Sequence, residues 1–167
     1  MSGPPFRVVA LGSSVDRSAF DSGSEPLNRY LRDQAGQDVR RRVAACFVAL
    51  AADERVAGYY TLASASVALT DLPATTAKKL PRYPSVPAVR LARLAVDAAF
   101  KGQGLGGALL ADALARAARS EVAAFAMVVD AKDAAAVQFY LHHGFVPLQD
   151  QPEVLFLPLA SAAKAER

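Results

Sequence analysis

The chain holds one cysteine, Cys46, so no internal disulfide can brace it, and a lone thiol within an apolar run fits a reducing compartment. Its only two histidines, His142 and His143, are adjacent and would point apart on a helix. With no second thiol, no metal site is expected. Residues 1–6 contain no apolar signal-peptide core, and the longest apolar run, residues 43–52, is about half the length of a membrane helix. A soluble, cytoplasmic protein with no membrane partner is therefore expected. Acidic residues are missing from the whole interval between Asp71 and Asp97. There is no internal repeat, low-complexity tract or second core.

What is present suits one core: 167 residues, 53% of them hydrophobic, predict a single domain over residues 1–167. The net charge of +3 is modest but unevenly placed. The acid-free interval carries Lys78, Lys79, Arg82, Arg90 and Arg93, and a second basic group, Arg29, Arg32, Arg40, Arg41 and Arg42, is interspersed with Asp33 and Asp38. Such clusters suit a polyanionic partner. From charge alone, a solvated surface or simple attraction of a phosphorylated cofactor is the favoured reading.

Hydrophobic periodicity and turn residues predict strands over residues 6–11, 43–50, 56–64, 88–96 and 122–129, with closing strands at 145–147 and 154–157. Helices are predicted from Ser24, which can cap the first turn ahead of Pro26, from residue 104 to 119, and from an Asp133 cap to His143. Prolines 73, 81, 84 and 87 make residues 72–87 an ordered surface loop. The order predicts a mixed α/β sandwich around one sheet.

The most informative stretch joins a strand ending at Val96 to a glycine-rich turn and a helix start, with glycines at 102, 104, 106 and 107. Glycines let a phosphate approach the backbone, and the helix presents unpaired N–H groups at the positive end of its dipole. Gly102, Gly104 and Gly107 fit the dinucleotide pattern G-x-G-x-x-G, with Asp130 as a ribose contact. Against that, residues 97–101 separate the strand from the first glycine, and only 60 residues follow Gly107, too few for the further parallel strands of a dinucleotide fold.

The same residues, Lys101-Gly102-Gln103-Gly104-Leu105-Gly106, resemble the acetyl-CoA signature of the GNAT acetyltransferase superfamily, with Lys101 where the motif has Gln or Arg. A second segment, from Ala136 through Phe139-Tyr140 to Gly144-Phe145, resembles the superfamily's Phe-Tyr-x-x-x-Gly-Phe ending. The resemblance implies a GNAT fold: a central mixed, mostly antiparallel sheet, helices on both faces, and a splayed strand pair holding acetyl-CoA. It further implies cofactor contacts from Leu94, Val96, Lys101, Gly102, Gln103, Gly104, Leu105, Gly106 and Gly107. Asp133 falls where many relatives carry a cofactor-contacting Asn, and helix capping is the favoured role for it. Tyr140 would be the catalytic acid that protonates the CoA thiolate; an aromatic on an amphipathic helix also reads as core.

No glutamate lies on the central strand to serve as general base. An α-amine, with a pKa of about 8, has a neutral fraction at pH 7 without one, whereas a lysine at roughly 10.4 demands more help. The stretch from Phe20-Asp21-Ser22-Gly23 through Leu27-Asn28-Arg29-Tyr30-Leu31, with Arg93-Leu94-Ala95-Val96-Asp97, resembles the tRNA-acetylating GNAT toxins of type II toxin–antitoxin pairs. That resemblance implies aminoacyl-tRNA as substrate, contacted by Lys78, Lys79, Arg82, Arg90 and Arg93. It also implies a small DNA-binding antitoxin as partner and a homodimer. The alternatives are a GNAT enzyme for a small amine or a protein N-terminus, and a non-catalytic acyl-CoA-binding module.

Overall fold

The computed structural model describes residues 6–165. In chain order the elements are β1 (Arg7–Ala10), α1 (Glu25–Arg29), a π-helical turn (Tyr30–Gln34), α2 (Ala35–Arg40), β2 (Ala45–Leu50) and β3 (Val56–Ala68). A 3₁₀ turn (Leu69–Asp71), α3 (Ala74–Ala77), β4 (Ser85–Val96), a second 3₁₀ turn (Ala98–Phe100) and α4 (Leu105–Arg119) follow. The chain continues through β5 (Ala126–Asp130), α5 (Ala134–His142), β6 (Val146–Leu148), β7 (Gln151–Pro158) and α6 (Leu159–Ala165). The strands form one seven-stranded sheet in the order β1-β2-β3-β4-β5-β7-β6. β4 and β5 pair in parallel, whereas β1–β2, β2–β3, β5–β7 and β6–β7 are antiparallel. The expected mixed, mostly antiparallel sheet is what forms. No helix among the described residues is long and apolar enough to cross a membrane.

Contacts divide the chain into two compact units, Met1–Ala63 with Ala92–Ala113, and Ser64–Leu91 with Leu114–Arg167. In the first, near-continuous apolar runs on β2 and the first half of β3, buried on both faces, give an antiparallel ladder from Ala45↔Leu62 to Leu50↔Val56, closed by a turn in which Glu54 takes a left-handed φ of 70°. Phe20, Leu31, Ala35, Val48, Tyr59 and Ala95 bury there. The helix predicted from Ser24 is realised with a π-helical turn between α1 and α2. Ser24 sits at the N-cap, but its side chain makes no cap hydrogen bond. Ser22 and Asn28 provide the local polar contacts instead, as described below.

In the second unit β4 and β5 pair from Ala88↔Ala126 to Leu91↔Val129. Val67, Leu72, Val86, Val128, Leu148 and Phe156 form its core. β5 starts four residues later than predicted because Val122 is 81% exposed, outside the sheet. The proline-rich stretch is more regular than a loop, since Pro73 caps α3 and the Pro84 carbonyl accepts the Leu69 N–H at 3.1 Å. α6 has no counterpart among the predicted helices.

Candidate functional site

The cofactor-loop residues form one continuous stretch of the first unit. β4 runs five residues beyond Leu91, to Val96, with Leu94 and Val96 half-buried. Asp97, only 4% exposed, then caps the 3₁₀ turn: its Oδ1 accepts the Ala99 N–H at 2.8 Å. Gly102 and Gly104 follow with φ of +82° and +78°, conformations that side-chain-bearing residues rarely adopt. The first bond of the helical pattern runs from the Ala108 N–H to the Gly104 carbonyl at 3.1 Å. The N–H groups of Leu105, Gly106 and Gly107 therefore precede the intrahelical ladder and point out of the helix start. Leu105 is buried and anchors α4, while Lys101, Gln103 and both left-handed glycines are exposed. A backbone cradle of this kind fits an anionic pyrophosphate.

Gly58, which sequence reasoning did not single out, makes the anchoring possible. A Cβ there would stand 2.9 Å from the Ala95 carbonyl oxygen and 2.9 Å from Leu109 Cδ1. Only glycine lets β3 pass so close to β4 and α4. Tyr60 adds a polar tie, its hydroxyl donating to Asp112 on α4 at 2.5 Å.

The root of the loop is knitted to a segment far away in sequence. Asp97 Oδ2 accepts the Asp21 N–H at 2.9 Å, the Ala98 N–H donates to the Asp21 carbonyl at 2.8 Å, and Lys101 Nζ donates to the Ser22 carbonyl at 2.7 Å. Buried Asn28 completes the frame. Its Oδ1 accepts from the Ser22 N–H at 2.7 Å and the Ser22 hydroxyl at 2.8 Å, and its Nδ2 donates to Asp21 Oδ1 at 3.0 Å. The Gly23 N–H and the Asn28 amide hold the Asp21 carboxyl below the usual carboxylate range.

The second motif lies in the other unit, on α5. Asp133 caps this helix, its Oδ1 accepting the Ala136 N–H at 2.8 Å. Gly144 ends it with φ of +92°. Tyr140 is buried between aromatic neighbours, its ring centroid 5.1 Å from that of Phe139 and 5.4 Å from that of Phe145. Burial pushes its phenol up to about 12. That proton stays in place through the whole neutral range.

The five basic residues expected to meet RNA divide by environment. Lys78, Lys79 and Arg82 are exposed after α3. Arg90 pairs with Asp130. Arg93, in the first unit, stands over the Tyr30 ring with its guanidinium carbon 3.6 Å from the centroid. Among the described residues no group of three or more His, Cys, Asp or Glu side chains could hold a metal.

The acetyltransferase (GNAT) domain family matches this chain over residues 21–158, from the Asp21 frame through α5 to the end of β7. The chain belongs to the GNAT family. This GNAT domain is 38% identical over 154 residues to a tRNA-acetylating toxin of Mycobacterium tuberculosis, covering 91% of each chain. Its fold matches that of AtaT solved in complex with acetyl-methionyl-tRNAfMet, with a TM-score of 0.90, 29% identity and coverage of 97% of this chain and 99% of that one. It also matches a tyrosine-to-phenylalanine mutant of AtaT bound to the C-terminus of the antitoxin AtaR, with a TM-score of 0.81, 27% identity and coverage of 97% and 98%.

Proposed function

We propose that this GNAT protein transfers the acetyl group of acetyl-CoA to the α-amino group of the amino acid on charged tRNA, and so blocks translation. The observation that carries the reading is the cradle of residues 101–107, left-handed at Gly102 and Gly104 and opening a 15-residue helix, in a chain 38% identical to a tRNA-acetylating toxin. Acetyl-CoA supplies an activated thioester carbonyl.

The chain's own residues then have distinct tasks. The backbone from residue 102 to 107 takes the pyrophosphate, with Lys101 and Gln103 at its rim. Leu94 and Val96, on the part of β4 beyond its pairing with β5, offer backbone groups to an extended pantetheine as a further strand would. The Val96 N–H stabilises the negative charge that grows on the acetyl oxygen as the neutral amine attacks. Tyr140 gives its proton to the departing sulfur, and the nitrogen sheds its proton to solvent, so one C–N bond replaces one C–S bond. A phenol held near 12 remains loaded for this step from the pH at which the amine becomes neutral until the pH nears 12. Asp133 acts by fixing the start of α5, the helix that carries Tyr140.

Lys78, Lys79 and Arg82 are the exposed cations best suited to RNA phosphates. Arg90 and Arg93 would contribute less, one neutralised by Asp130 and the other stacked on Tyr30. The partner of this protein would be a small DNA-binding antitoxin with an acidic tail matched to these cations, a reading supported by AtaT's complex with the C-terminus of AtaR. The active form would be a homodimer acting in the cytoplasm, where charged tRNA is found.

The test is transfer of radiolabelled acetyl to total aminoacyl-tRNA across a salt series. Label on charged but not uncharged tRNA, falling steeply with salt, is the expected result. Transfer confined to free amines or protein N-termini, with a shallow salt response, would refute it.

A further inference from the structure

The glycines that open the cradle also loosen it. Gly102 and Gly104 have nothing within 4 Å of a would-be Cβ and no side chain to pack, so neither position adds packing to the loop. Its orientation is set at its two ends, Leu105 at the start of α4 and the root, residues 97–101. That root makes three bonds to residues 21–22, and those residues are in turn held by Asn28. The stretch from Phe20 to Asn28 has no other task in the proposed chemistry, yet it contains the two polar side chains, Ser22 at 6% and Asn28 at 4% exposure, that burial would penalise unless fully bonded. They bond to each other.

We propose that Asn28 and Asp97 are positioning residues for acetyl-CoA: they clamp the Asp21–Ser22 segment against residues 97–101 and so preorganise the glycine loop for the pyrophosphate. The inference rests on the acetyl-CoA reading of that loop. It also reassigns Lys101. Its ammonium donates to the Ser22 carbonyl, so the lysine that replaces the usual Gln or Arg works through the clamp rather than on the phosphate. A loop already held in its binding shape loses less entropy when the ligand arrives, and the gain shows in affinity rather than in the chemical step.

The experiment is calorimetric titration of the full-length protein with acetyl-CoA, together with steady-state kinetics, for Asn28→Ala, Lys101→Met and the double variant. Asn28→Ala is expected to weaken acetyl-CoA binding about tenfold, the scale of one or two lost buried hydrogen bonds, and to raise KM far more than it lowers kcat. Lys101→Met should weaken binding severalfold alone and add nothing in the Asn28→Ala background, because both act through one segment. Asp97→Asn, which keeps the side-chain volume but faces an amide NH₂ toward one of two N–H donors, provides the same reading if Asn28→Ala does not fold.

Folded variants that bind acetyl-CoA as tightly as wild type would overturn the proposal. Fully additive losses would also overturn it, by placing Lys101 directly on the ligand. Failure of the wild type itself to bind acetyl-CoA would instead overturn the reading of the loop as a cofactor site.

Discussion

Arg93 stands 3.6 Å above the centroid of Tyr30, whose hydroxyl donates to Asp38 at 2.8 Å, so a residue with the composition of an RNA contact is engaged in a cation–π stack. The stack covers a half-buried guanidinium. Arg93→Ala should therefore cost about 1–2 kcal/mol of stability through lost stacking and stem packing. Arg93→Lys should restore only part of it, because an ammonium lacks the planar stacking face. Chemical denaturation measures both. A fully stable Arg93→Ala with a shallower salt dependence of RNA binding would return Arg93 to the RNA surface.

Lys78, Lys79 and Arg82 carry the opposite expectation. Replacing all three with Ala should leave stability within about 0.5 kcal/mol, as for exposed residues. The slope of log K for charged tRNA against log salt should flatten by roughly 2 to 3, since each phosphate contact releases close to one counterion. Binding measured at four or more salt concentrations checks this, and an unchanged slope would remove these residues from the interface.

Tyr140→Phe should keep the fold, because the ring still packs between Phe139 and Phe145, and should lower kcat about 10²–10⁴-fold. The wild-type rate should rise with pH as the amine deprotonates and should show no loss from Tyr140 until the pH nears about 12. A falling limb centred near 8 would assign the proton donor to another group.

The two motifs that locate the cofactor loop and α5 were legible because each is local: left-handed glycines and a helix-ending glycine are conditions a residue imposes on its own backbone. What escaped was set by distant chain. Asp97 reads as an ordinary turn residue until its partner, 76 positions away, is known. Gly58 passes as one residue of the predicted strand over 56–64, although a Cβ there would strike the Ala95 carbonyl. The π-helical turn at Tyr30–Gln34 leaves the apolar spacing of the segment helical, so periodicity alone passes over it. Ser24 had the right type and place for a cap, but the Ser22–Asn28 pair organises that helix entry instead.

Alkaline conditions should weaken the fold before they affect the chemistry. Burial raises the Cys46 thiol from 9.0 to about 12. Between those values the unfolded chain loses a proton that the folded chain keeps, so stability is fully present below pH 9 and declines as pH rises toward 12. Tyr30 and Tyr59, also raised chiefly by burial, add to the decline above the ordinary tyrosine value. Cys46→Ala should flatten the pH dependence of stability between pH 9 and 10. An unchanged slope would show that the thiol is not protected.

Thr61 is fully buried on β3, and its hydroxyl oxygen has no hydrogen-bond partner among the described residues. Thr61→Val replaces that hydroxyl with a methyl of similar size. It should raise stability by about 1 kcal/mol, the scale of an unsatisfied buried polar group. A destabilised Thr61→Val would mean that the hydroxyl has a partner in solution.

The central claim, acetylation of the α-amine on charged tRNA, is tested most directly by mass spectrometry of the tRNA 3′ end. Charged tRNA incubated with acetyl-CoA and wild-type protein is digested to its terminal nucleoside, with Tyr140→Phe run alongside. The expected product is adenosine esterified to an N-acetylated amino acid, strongly reduced in the variant. Unmodified aminoacyl-adenosine from a wild-type protein that binds acetyl-CoA would contradict the claim.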